Sequence, residues 1–139
     1  MEWKEALPLL QENHTGVAIS VTPKGRAQAT VVSTAVLDGK VGFASRGYTV
    51  KVKNIQRTGR ATVTVIKLDT RRYVTVEGRA FIEPWQDTPA HIKRLKDLYT
   101  AMGRAPKSDE EFANQMRDEQ RNLVLVAPER FYGSLRAGA

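Results

Sequence analysis

Residues 61–65 read ATVTV, a strict period of two built almost wholly from β-branched side chains. A helix turns about 3.6 residues per turn and would scatter this pattern around its surface. A strand sends successive side chains to opposite faces and can bury one of the two rows. Related signals recur along the chain in GVAISV at 16–21, RAQATVVSTAV at 26–36, RYVTVEGRAFI at 72–82 and NLVLVAP at 122–128. Turn chemistry separates them. TPKG at 22–25 supplies a Pro and a Gly, and Asp38-Gly39 is a two-residue type I′ signal that folds residues 41–45 back antiparallel.

Two kinds of helix interrupt this β pattern. Trp3, Leu7 and Leu10 share one face of a short N-terminal helix, in which Pro8 is expected to introduce a kink or a restart. Ile92, Leu95, Tyr99 and Met102 recur at helical spacing opposite Lys93, Arg94, Lys96 and Asp97, and the run stops near Gly103. Ser108 followed by Glu111 is a capping-box signature for a second helix through Phe112 and Met116. The expected architecture is mainly β: one domain over residues 1–139, a six-stranded antiparallel Greek-key β-barrel with flanking helices and a helical insertion at about 87–120. RFYGSL at 130–135 is read as a last strand or arm.

Several chemistries are disfavoured. With no cysteine, thiolate metal sites and disulfides are impossible, and His14 and His91 are too far apart in sequence for a local ligand pair, so no metal site is expected. Both histidines read as surface residues, and Asp109, Glu110 and Glu111 as a helix N-terminus. The N-terminus lacks the basic and apolar regions of a secretory signal, and no run reaches the roughly 18 apolar residues of a membrane span. A soluble cytoplasmic protein without membrane contact is expected.

The net charge is +7, which suits a polyanionic partner without naming it. The segment SRGYTVKVKNIQRTGR at 45–60 holds Arg46, Lys51, Lys53, Arg57 and Arg60 and no acid. Thr49 is a competent N-cap for a helix from Val50 to about Thr58, with Gly59 at the position glycine favours after a helix. Arg57 and Arg60 then suit the negative end of the helix dipole. Lys51 and Lys53 sit at the positive end, unfavourable by about 0.3–1 kcal/mol each unless an anion is shared. Ser45, Arg46 and Thr49 add hydroxyl and guanidinium donors, so the front of the segment is a phosphate-binding set that matches no Walker or dinucleotide fingerprint. A solvated basic helix accounts for the same charges. With no nucleophile, acid–base pair or metal site evident, an enzyme of this kind would rely on a cofactor. A small basic barrel with Tyr48, Tyr73, Trp85, Phe131 and Tyr132 as stacking surfaces could instead hold single-stranded nucleic acid, though its charge is concentrated in one segment.

In the order GVAISVTPKGRAQ, VKVKNIQRTGRATVTV, RYVTVEGRA, two helices and a closing strand, the chain resembles the pyridoxamine 5′-phosphate oxidase-like split β-barrel superfamily. It is most similar there to the short branch using the deazaflavin coenzyme F420. The resemblance implies an FMN-binding split barrel fold and a homodimer with cofactor sites at the interface. It implies that Lys51 is the principal phosphate cation, with Ser45 and Thr49 as hydroxyl donors, Lys53 nearby and Asn54 tying the helix to its surroundings. Gln28 and Thr30 would flank the ring, and Arg72 and Tyr73 would reach the partner's site. The implied activity is transfer of a hydride from reduced coenzyme F420 to an electron-poor small molecule, with an FMN-dependent oxidoreductase or a flavin-binding protein as the alternative. The longer pyridoxamine phosphate oxidases carry C-terminal arginines for their substrate, whereas this sequence ends RFYGSLRAGA, so that activity is not expected.

Overall fold

The computed structural model describes residues 1–136. Its elements are α1 (Trp3–Glu12), β1 (Thr15–Val21), β2 (Ala27–Ser33), β3 (Ala35–Leu37), β4 (Lys40–Arg46), α2 (Val50–Thr58), β5 (Arg60–Lys67), β6 (Arg72–Glu83), α3 (Pro89–Ala101), α4 (Asp109–Glu119), β7 (Arg121–Val126) and β8 (Arg130–Ser134). Every strand pairing is antiparallel, along the path β2-β1-β5-β6-β7-β4-β3 with β8 added on β6. No helix among the described residues is long and apolar enough to cross a membrane.

The strands number eight rather than six, for two physical reasons. The extended run at 26–36 divides at Thr34, whose N–H donates to the His14 carbonyl at 2.9 Å and whose carbonyl accepts from His14 Nδ1 at 2.9 Å. Before that clamp the chain pairs with β1, and after it with β4. The two ends of the hydrogen-bonded path are therefore the halves of one chain segment joined by a single residue. RFYGSL, in turn, forms a true strand: β8 lies beside β6 from Tyr73 to Glu77, below the part of β6 that pairs β7. Gly78 sits at the step between them, where any Cβ would come within 2.2 Å of the Ala127 carbonyl oxygen.

Local chemistry accounts for the turns. Asp38 and Gly39 have φ of 54° and 70°, as a type I′ turn requires. α2 ends on Gly59 at φ 70°, whose N–H donates to Ile55 O at 2.7 Å. Pro8 lies inside α1 without dividing it, and the helix starts on a reciprocal Glu2/Glu5 capping box.

The core has two parts. Val41, Phe43, Val63, Val65, Val74, Val76, Val124 and Val126 form one with Leu9 and Leu10 of α1 and Ile55 of α2. Leu95, Leu98, Phe112 and Met116 of α3 and α4 form the other against Ala35, Leu123 and Leu125. β7 separates them and is buried on both faces, which is why its sequence is a continuous apolar run and not an alternation. In β2 the row facing outward is Ala27, Ala29 and Val31, with Val31 72% exposed. Gln28 and Thr30 face the other way, where Ser20 Oγ donates to Gln28 Oε1 and Gln28 Nε2 donates to Thr30 Oγ1. His91 is buried rather than on the surface, with Nε2 2.9 Å from the Arg121 carbonyl and its ring edge-on to Trp85.

Candidate functional site

The segment between β4 and α2 turns sharply at Gly47, at φ 43°, and delivers the start of α2 to the rim of a cavity of about 510 Å³. Thr49 occupies the N-cap position in an extended conformation, but its side chain does not cap the helix. Its Oγ1 shares a hydrogen bond of 3.2 Å with Ser45 Oγ instead. The first helical bond is from Lys53 N–H to Thr49 O at 3.0 Å, so the N–H groups of Val50, Lys51 and Val52 precede the helical ladder. The N-cap expectation thus holds for the position of Thr49 and fails for its side chain, whose hydroxyl is held beside that of Ser45.

Ser45, Arg46, Thr49 and Lys51 all line this cavity. Arg104 and Arg121 add two more cations, Tyr99, Met102, Val31 and Val32 supply ring and apolar wall, and no acidic side chain lines it. Arg46 and Arg121 converge from outside on a single carboxylate, donating to Glu119 at 3.1 and 2.5 Å. Burial opposes the charge of Glu119, but hydrogen bonds from Arg121 and Gln115 and the charge of Arg46 outweigh it and hold the carboxyl below its ordinary range. Arg104 donates to Ser33 Oγ at 3.3 Å and makes no ion pair among the described residues. Lys51 has neither an ion pair nor a hydrogen-bond partner among them, and burial, then repulsion from Arg121, lower its pKa. Burial raises the pKa of Tyr99, which keeps the phenol protonated as a hydrogen-bond donor.

The other residues expected at the site lie elsewhere. Asn54 is buried, donates to Ser20 Oγ at 3.2 Å and accepts from Arg57 at 3.1 Å, so it does tie α2 to β1. Arg57 also donates to the Val21 carbonyl. Gln28 and Thr30 belong to the same polar network, while Lys53 is exposed; none of these lines the cavity. Arg72 lines a separate cavity of about 190 Å³ beneath α1, with Glu5, Glu12 and Lys67, and its Nε is buried without a partner among the described residues. No motif in the sequence marks Tyr99, Arg104, Gln115 or Arg121, which also line the cavity. They come from the helical insertion and the strand after it, and only Gly103, which ends α3 at φ 74°, hinted that the chain turns back there.

The sequence profile of pyridoxamine 5′-phosphate oxidase matches residues 3–134, nearly the whole chain. The chain belongs to this family. It is a family of flavin-binding oxidoreductases. Solved structures of the pyridoxamine 5′-phosphate oxidase-like fold resemble the chain over most of its length. One is a conserved hypothetical protein from Mycobacterium tuberculosis, at 24% identity and a TM-score of 0.76, covering 96% of this chain and 84% of that one. An F420 reductase is 23% identical at a TM-score of 0.64, covering 90% and 94% respectively. A pyridoxamine 5′-phosphate oxidase-related, FMN binding protein from Nostoc punctiforme is 17% identical at 0.68, covering 94% and 82%. At these identities the likeness concerns the fold. Among curated proteins none matches significantly.

Proposed function

We propose that the chain is a reductase that uses the deazaflavin coenzyme F420, holding its phosphate at the start of α2. The observation that carries this reading is a lysine, Lys51, without a partner among the described residues, in a cavity that these line with four cations and no acid. Ser45 and Thr49 hydroxyls and the first α2 amides complete a donor set suited to a phosphate. The phosphate monoester of FMN would bring a charge of about −1.5 to −2. Arg46, Lys51, Arg104 and Arg121, offset only by Glu119, offer more positive charge than that. The surplus favours a cofactor with an additional acidic tail. When reduced, such a cofactor supplies a hydride to an electron-poor acceptor. The protein contributes position and exclusion: Lys51 and the hydroxyls anchor one end, while Val31, Val32 and Met102 keep water from the wall.

FMN is the second reading, favoured by the likeness to an FMN binding protein over 94% of this chain. A direct titration of the purified protein with both cofactors separates them. The deazaflavin reading expects coenzyme F420 to bind at micromolar affinity or better and more tightly than FMN. Tighter FMN binding would make that alternative the function.

A homodimer belongs to the same proposal. Val17, Ile19 and Val21 of β1 stand opposite Val31, Ala29 and Ala27 of β2, forming one outward row of apolar side chains. Val31 is at once largely exposed and a lining residue of the cavity, so a second copy on this face would complete the cavity's wall. Sedimentation is expected to show a dimer, and Val31→Glu is expected to shift it to monomer and to weaken cofactor binding. A monomeric unsubstituted protein that binds cofactor fully would overturn the dimeric site.

A further inference from the structure

We propose that Asn122 is the positioning residue of the anion-binding loop. It stands directly opposite Ser45 in the β4–β7 pairing and is 4% exposed. Both ends of its amide are engaged: Nδ2 donates to the Ser45 carbonyl at 3.2 Å and to the Gly47 carbonyl at 2.6 Å, and Oδ1 accepts from the Trp85 N–H at 3.0 Å. Two carbonyls can be met only by the NH₂ group and a backbone N–H only by the oxygen, so the network dictates the orientation of the amide. The Gly47 N–H is taken in the same way by the Gln120 carbonyl at 3.1 Å. Both polar groups of Gly47 are therefore committed to the α4–β7 junction, at the residue where the loop reverses through φ 43°.

The consequence for the site is electrostatic as well as geometric. The carbonyl oxygens of Ser45 and Gly47 carry partial negative charge and would repel an anion if the loop turned them toward the cavity. Engaged by Asn122, which is not among the lining residues, they are kept from it, and Ser45, Thr49 and Lys51, which do line it, are left to face an anion. A buried side chain joining the loop, β7 and the chain before α3 also couples the phosphate end of the cavity to the helical insertion that supplies Tyr99 and Arg104. This inference rests on the phosphate assignment above, and its test includes a measurement that needs no cofactor.

The variants are Asn122→Ser, which keeps one short donor, and Asn122→Asp, which sets a carboxylate against two carbonyls. The first measurement is amide hydrogen exchange of residues 46–50 in the protein without ligand. Asn122→Ser is expected to speed it at least tenfold while exchange in β5 and β6 changes less than twofold. The second compares affinity for FMN with that for riboflavin, the same ring without phosphate. The expected result is a loss of tenfold or more for FMN with less than twofold for riboflavin, larger in Asn122→Asp where it folds. Unchanged loop exchange in Asn122→Ser overturns the inference whatever the cofactor, as does a loss shared equally by FMN and riboflavin. If the unsubstituted protein binds FMN and riboflavin equally well, the phosphate assignment falls, and the exchange measurement still decides whether Asn122 holds the loop.

Discussion

Lys51→Ala is expected to weaken coenzyme F420 binding by roughly 10- to 100-fold, the equivalent of losing one hydrogen-bonded charge contact of about 1.5–3 kcal/mol. Fluorescence titration measures it directly. Lys51 is the cation to remove because it lines the cavity, has no partner among the described residues and already carries the cost of partial burial next to Arg121. Lys53→Ala is the matched control, since Lys53 is exposed and outside the cavity, and a change of less than about threefold is expected for exposed charge. Equal losses in the two variants, or none in Lys51→Ala, would remove Lys51 from the site.

The pH dependence follows from the direction of the Lys51 shift. Its pKa in the folded protein lies below the ordinary lysine value, so anion affinity is full below that lowered pKa and falls as pH rises through it. For FMN, a phosphate monoester, loss of the second phosphate charge near pH 6 would also close the window from below. Stability of the ligand-free protein moves the other way. Between the folded and unfolded lysine pKa values the unfolded chain binds more protons, so the Lys51 contribution to stability rises with pH through that interval. Bound anion opposes the shift by favouring the ammonium, so this rise of stability with pH shrinks when the site is saturated.

Phe43→Ala is the substitution expected to cost the most stability, about 3–5 kcal/mol from lost burial and the cavity left behind. Phe43 is fully buried at the centre of β4, opposite Val124 of β7, and packs in the core formed within the sheet. Against a total of about 5–15 kcal/mol, that loss lowers the thermal midpoint by on the order of 10 °C or more. Scanning calorimetry checks it. A shift of only a degree or two would mean that the core does not depend on this ring. Ala44 and Ser45 follow Phe43 directly into the cavity wall, so cofactor affinity measured well below the midpoint should fall less than in Lys51→Ala.

Much of the site's front was legible because it is a local feature. The boundaries of α2 follow from Thr49 and Gly59, and the placement of Lys51 against the helix dipole follows from those boundaries. The Asp38-Gly39 turn and the alternation in β5 and β6 likewise involve near neighbours, and the structure agrees with them. Period two shows that β2 has two rows without saying which is buried. The paired amides of Gln28 and Asn54 around Ser20 draw the polar row inward and leave Val31 outside.

What the amino-acid order determines on its own is therefore where most strands and helices lie, their turns, and one helix start that is short of negative charge, while the division at Thr34 and the pairing of β8 are set by tertiary contacts. The tertiary structure decides what that helix start faces. Arg104 and Tyr99 reach the cavity only because α3 and α4 pack on β3 and β7, and Asn122 meets Gly47 only because β4 pairs with β7 across some 75 residues. Dihedral preference and side-chain period are properties of neighbouring residues, whereas the walls of a cavity depend on pairings whose loop-closure cost is met by the whole core at once.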